Sequence, residues 1–168
     1  MKCSEICALI EQEYGTEYAC DWDNVGLLAG RSTKEVKKIL LSLDATDEVV
    51  RMAAEGGYDM LITHHPMLFS AIKRVTDQDM NGRRLLELIR NDISYYAMHT
   101  NYDTRGMADL AARLMGLTEC AVLEEVKDGE GIGRVGKLPH PMTLRECGEQ
   151  VKVAYGIPNV RLFGDPDT

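Results

Sequence analysis

The chain has 168 residues, 45% of them hydrophobic and 27% charged, with 27 acidic against 19 basic side chains and a formal charge of −8. That length suffices for one domain, residues 1–168, with a proper apolar core, and the composition excludes a disordered, collagenous or coiled-coil chain. The acidic balance, without any run of Lys and Arg, speaks against nucleic acid and anionic membrane surfaces as partners.

Cys3, Cys7, Cys20, Cys120 and Cys147 are scattered and form no C-x-x-C pair, the pattern of reduced thiols in a cytoplasmic protein. The first residues lack the features of a secretory signal. No apolar stretch approaches the ~20 residues needed to cross a bilayer.

In chain order, Ile6, Leu9, Ile10 and Tyr14 fall near helical spacing and predict a helix over 3–14, with Ser4 as cap and Gly15 as stop. Lys38–Asp44 reads as a buried strand. Thr46 or Asp47 then caps a helix through Glu55, ended by Gly56-Gly57. Tyr58–Thr63 is a second strand, running into His64-His65-Pro66. A helix over 79–91 places Leu85, Leu86, Leu88 and Ile89 on its apolar side. Ile93–Met98 is a third strand, ending at His99-Thr-Asn-Tyr-Asp103, and a further helix covers about 107–115.

This alternation predicts an α/β fold with a mostly parallel sheet flanked by helices. Beyond residue 118 the pattern changes to strands over 119–126 and 132–138, a helix over 143–155 and a last strand over Val160–Phe163. The chain stops in a turn-like Gly-Asp-Pro-Asp, where a parallel sheet would ordinarily continue, so it is expected to be the N-terminal portion of a longer fold.

Ligands of open parallel sheets bind outside the carboxyl ends of the strands. Two predicted strands end there in groups suited to a cation: His64-His65, and His99 with Asp103. The first ends at Asp44. Successive side chains of an extended segment point to opposite faces, and Pro66 favours extension at His65. The doublet therefore either serves two ions ~3.5–4 Å apart, or serves one if the backbone turns sharply. Imidazole with carboxylate suits Zn, Fe, Ni or Mn rather than Mg or Ca. His99 is either a further ligand or a support for Asp103. The plainer alternatives are strand-end histidines bonded to backbone, and an Asp103 that opens a turn or caps a helix.

His140, between two prolines, is given no role. Asp21-Trp22-Asp23-Asn24 either lines the cavity or makes a structural turn with Trp22 plugging the core edge. Gly131-Ile-Gly-Arg-Val-Gly136 matches G-x-G-x-x-G literally, but no helix opens on it, so a bulged or twisted strand is expected rather than a dinucleotide site.

Asp21-Trp-Asp-Asn-Val-Gly-Leu27, Ile62-Thr-His-His-Pro66, His99-Thr-Asn-Tyr-Asp103 and the glycine motif occur in that order. Together they resemble the GTP cyclohydrolase 1 type 2 family, also called the NGG-interacting-factor-three-like family. The resemblance implies two metal ions per subunit, with His64, His65 and Asp103 as the ligands present here and a His and a Glu supplied further on. It also implies a toroidal homohexamer with the sites facing an internal cavity. The implied activity is that of a metal-dependent hydrolase acting on a nucleotide-like or heterocyclic small molecule. Water would be the nucleophile and His99 a proton shuttle or orienting group. The alternatives are a non-catalytic metal-binding or interaction protein and a metal-dependent phosphoesterase.

Overall fold

Four short strands carry the first of two units, Met1–Tyr102 and Asp103–Thr168, into which the computed structural model, describing residues 1–168, divides the chain. They are β1 (Gly26–Ala29), β2 (Ile39–Ser42), β3 (Met60–Thr63) and β4 (Ser94–Ala97), in the order β1-β4-β3-β2. β2, β3 and β4 run parallel, as the sequence leads one to expect, while β1 joins β4 antiparallel. β1 escapes the sequence reading. It is four residues long and follows a polar loop, too short for a period of two to show.

The central strands β3 and β4 are covered on both faces, and alternation divides their side chains between two clusters. Leu61, Tyr95 and Ala97 face Val50 and Ala53 of helix α2 (Asp47–Glu55) and Leu88 of α3 (Met80–Arg90). Met60, Ile62 and Tyr96 face Cys3 and Cys7 of α1 (Cys3–Glu13). β3 and β4 are buried at every residue, which explains why they read as continuous apolar runs. Thr46 caps α2 by accepting from the Val49 amide, and Asp79 caps α3 by accepting from that of Gly82. Three local readings need correction. The strand expected to be buried over Lys38–Asp44 is an edge strand, exposed or half-buried at every residue of β2, with Leu41 72% exposed. α1 begins one residue before Ser4, with the Lys2 amide donating to Glu5 at 2.7 Å. Ile89, at the solvent side of the last turn of α3, is exposed.

The amino ends of β3 and β4 are closed by charge. Lys34, almost fully buried, donates to the Asp59 carbonyl at 3.1 Å and to that of Asp92, and the Arg31 guanidinium forks onto the Asp92 carboxylate. Asp59 accepts from the Lys37 and Lys38 amides at 2.8 and 2.9 Å. The Lys37 amide does most to hold the Asp59 carboxyl below its usual range, against partial burial, with Lys38 and Lys34 adding to it. A depressed folded pKa gives stability that is complete above the ordinary value of about 3.9 and is lost as pH falls through the folded one. Asp59→Asn is expected to cost about 1 kcal/mol at neutral pH. The gap from the parent should narrow in thermal melts below about pH 4.

The second unit opens with a π-helical segment, Asp103–Met107, followed by α4 (Ala108–Leu114). A hairpin of β5 (Thr118–Lys127) and β6 (Glu130–Lys137) turns at Asp128-Gly129, both at positive φ as a tight two-residue hairpin turn requires. Arg134 of β6, almost fully buried, donates to Asp109 at 2.7 Å and to the Gly131 and Gly133 carbonyls. The glycine motif thus lies inside a strand. A Cβ on Gly131 would sit 2.0 Å from the Glu124 carbonyl oxygen, so close strand approach accounts for that glycine.

α5 (Leu144–Tyr155) starts with a Thr143/Glu146 capping box and stops at Gly156 in the left-handed region. The strand expected over Val160–Phe163 does not form. Its Leu162 packs instead beside Gly148 of α5, and the chain returns to that helix through bonds from the Leu144 and Arg145 amides to the Thr168 and Pro166 carbonyls. An apolar run without a neighbouring ladder cannot pair as a strand. No helix is long and apolar enough to cross a membrane.

Candidate metal centre

Parallel pairing sets the strand ends level. Ser42, Thr63 and Ala97 are in register, so Asp44, His64-His65 and His99 leave the sheet on one rim, within two residues of its edge. Because β1 runs the other way, its start at Gly26 is level with Ala97, and the loop before it arrives on the same rim.

Three of the four histidines meet there. One ligand atom from each of His64, His65 and His99 lies within 4.8 Å of the other two. The His64 and His65 rings are 4.9 Å apart, and both are within 5.6 Å of His99. The doublet therefore turns on leaving β3 rather than continuing as strand. The Tyr95 hydroxyl fixes that turn from beneath: it bonds Thr63 Oγ1 at 2.8 Å and accepts from the Met67 amide at 2.7 Å. Thr63 Oγ1 also donates to the His65 carbonyl at 2.8 Å.

Each ring is oriented through the same nitrogen. His64 Nδ1 donates to the Met98 carbonyl at 3.0 Å, His65 Nδ1 to Asp44 Oδ1 at 2.8 Å, and His99 Nδ1 to the two Asp23 carboxylate oxygens at 3.0 and 3.1 Å. A carbonyl or carboxylate oxygen can only accept, so each Nδ1 carries the proton, and Nε2 is the nitrogen suited to bind a metal ion. Metal-ligating histidines usually have such a partner on the other nitrogen. The residues present thus fit a divalent transition-metal ion in donor type and tautomer, and their clustering could hold one.

Asp23 is the most constrained group of the rim, with its side chain fully buried. It accepts from the Thr100 amide at 3.0 Å, from the Thr100 hydroxyl and from the Asn24 amide. Burial pushes its carboxyl up, but the bonds from Thr100 and His99 more than reverse that and hold it below the usual carboxylate range. The sequence reading noticed Asp23 and Asp44 without assigning either as the partner of a histidine. The signal available was a carboxylate at a strand end, and what was missing was the reversed β1 that delivers Asp23. Trp22 does not plug the core edge; it is 59% exposed. Beside His65 lies a cavity of about 280 Å³, lined by Asp44, Thr46, Met80, Asn81 and Arg84 among others. Asp103, the carboxylate expected from the sequence, is the first residue of the second unit, at the head of the π-helical segment. His140 is outside the histidine cluster.

A family model described as Duf34/NIF3 (NGG1p interacting factor 3) matches residues 1–168. A relative from Clostridium perfringens named GTP cyclohydrolase 1 type 2 homolog is 37% identical over 98% of this chain and 64% of its own length. Among solved structures, a hypothetical protein of Staphylococcus aureus superposes with a TM-score of 0.86 at 29% identity, over 99% of this chain and 68% of that one. HcgD from Methanocaldococcus jannaschii does so with a TM-score of 0.81 at 35% identity, over 91% and 60%. The chain thus spans a little under two thirds of the length of the curated relatives it matches.

Proposed function

The chain belongs to the Duf34/NIF3 family, and from that membership we propose that its rim histidines hold divalent transition-metal ions with which the whole protein hydrolyses a nucleotide-like or heterocyclic small molecule. The supporting observation is that His64, His65 and His99 converge with every Nδ1 tied to an acceptor. Such a set is expensive to assemble for structure alone, because three imidazoles at a solvent-facing rim add little to a core.

Zn, Fe, Ni and Mn suit these donors. An ion of this kind supplies Lewis-acid polarisation and lowers the pKa of water. His64 and His65 serve as ligands in this reading. His99, oriented through Nδ1 by the buried Asp23, takes or gives a proton at Nε2 in this reading. Asp103 is proposed as the carboxylate ligand from its place in the family motif alone, and Asp103→Ala tests that part separately. A cytoplasmic homohexamer is proposed on the same family ground, checked by light scattering of the purified protein.

Elemental analysis of the purified chain, followed by zinc titration after chelator treatment, tests the metal reading. The expected result is stoichiometric zinc, nickel, iron or manganese and reversible rebinding. A chain that neither retains nor rebinds any of the four overturns it. For the hydrolase reading, GTP turnover by the family-length protein should vanish with chelator and return with metal; turnover indifferent to chelator rejects it.

A further inference from the structure

Two large aromatic side chains stand exposed beside the histidine cluster. Trp22 is 59% and Phe69 51% accessible, their rings lie 5.8 Å apart at 46°, and the Trp22 ring is 6.2 Å from that of His99 at 73°. Burying an aromatic ring removes ~150–250 Å² from water, so a chain free to do so turns it inward. Here the backbone is fixed so that it does not. The Cys20 amide donates to Thr100 Oγ1 and the Asp23 amide to the Cys20 carbonyl, both at 2.9 Å. Asp23 is itself locked to Thr100 and His99. The segment before Phe69 is held by the Met67 amide on Tyr95 and by Asn24 Nδ2 on the Leu68 carbonyl. Indole and phenyl are therefore displayed by two pinned loops, one of which also orients His99.

We propose that Trp22, flanked by Phe69, is a stacking platform for a planar nitrogen heterocycle, the base-like part of the substrate, and that it delivers that ring to His64, His65 and His99. The inference deepens the hydrolase reading and rests on it for the reaction that follows binding. The chemistry that recognises the ligand is its π-face. An exposed indole edge-on to an imidazole offers a sugar phosphate little, and a flat base a full face of contact. Base-on-aromatic stacking tolerates many bases, so the platform sets the class of ligand and leaves the choice among heterocycles to the neighbouring groups.

Trp22 is the single tryptophan of the chain, so its own emission reports an occupant. Guanosine and adenosine, titrated with excitation at the red edge of the indole band, should quench it saturably, while ribose 5-phosphate should not. Phe69→Ala should weaken the nucleoside response between about fivefold and a hundredfold. By calorimetry Trp22→Ala should lose guanosine binding and Trp22→Phe should keep most of it. Both side chains are exposed, so circular dichroism should find all three variants folded. Zinc affinity, read separately, should be unchanged in them. Ribose 5-phosphate quenching as well as guanosine, or no saturable response to either nucleoside in a zinc-binding chain, overturns the platform. Nucleoside quenching in a chain that binds no zinc overturns the metal reading and leaves the platform standing.

Discussion

Replacing His64 and His65 together by alanine is expected to abolish stoichiometric zinc binding while leaving the fold intact. Loss of an outer hydrogen-bond partner typically costs ~10–100-fold in metal affinity, and loss of two ligands exceeds that, so no saturable binding should survive in calorimetry. The fold should persist because the pair lies beyond the end of β3, and the bonds that fix the local backbone come from Thr63 and Tyr95. Far-UV dichroism and the melting temperature therefore separate this outcome from unfolding. His140→Ala is the matched control, since His140 stands outside the cluster. A double variant that binds zinc as tightly as the parent would leave the rim histidines without a metal role.

Removing the Asp23 carboxylate is expected to damage both stability and the centre. The side chain has no solvent exposure and receives bonds from His99, both polar groups of Thr100, and the Asn24 amide. Asp23→Ala strands those donors, and each buried donor left unsatisfied costs about 1–3 kcal/mol, a large share of the ~5–15 kcal/mol that holds a typical domain. Asp23→Asn keeps the shape and one acceptor oxygen, so about 1–3 kcal/mol is expected. Its amide nitrogen takes the place of one of the two oxygens that receive the His99 Nδ1 proton, or meets the Thr100 donors, so the grip on the imidazole is loosened. Zinc affinity or metal-dependent turnover should then fall ~10–100-fold. Chemical denaturation and calorimetry on the two variants would show it. An Asp23→Asn variant matching the parent in both would mean that the His99–Asp23 contact orients nothing.

Much of the first unit was legible because its central strands and flanking helices obey one periodicity each. β3 and β4 are buried on both faces and read as apolar runs, and α2 announces its start with Thr46 and its end with Gly56-Gly57. The strand-end rule then places His64, His65 and His99 on one rim from the sequence alone. Three things stayed hidden. β1 is short and reversed, and with it went the partnership of Asp23 with His99. The turn after β3 depends on Tyr95, about thirty residues away, a tertiary bond that spacing cannot reveal. Val160–Phe163 carries β-forming side chains, yet a strand needs an edge to join, and these residues settle beside α5 instead.

The reversal of β1 divides the sheet into two borders with opposite tolerances. On one border, changes of length reach the histidines directly, because the segment entering β1 and the segments leaving β2, β3 and β4 all converge there. On the other, Arg31, Lys34, Asp59 and Asp92 seal the sheet with ion pairs and bonds to backbone. Nearby, Gly57 sits in open space at φ +61°. A peptide tag or a reporter spliced in at Gly57 would thus be borne at the end of the first unit's sheet opposite the histidines, a practical handle for immobilising that unit with its histidine rim turned outward.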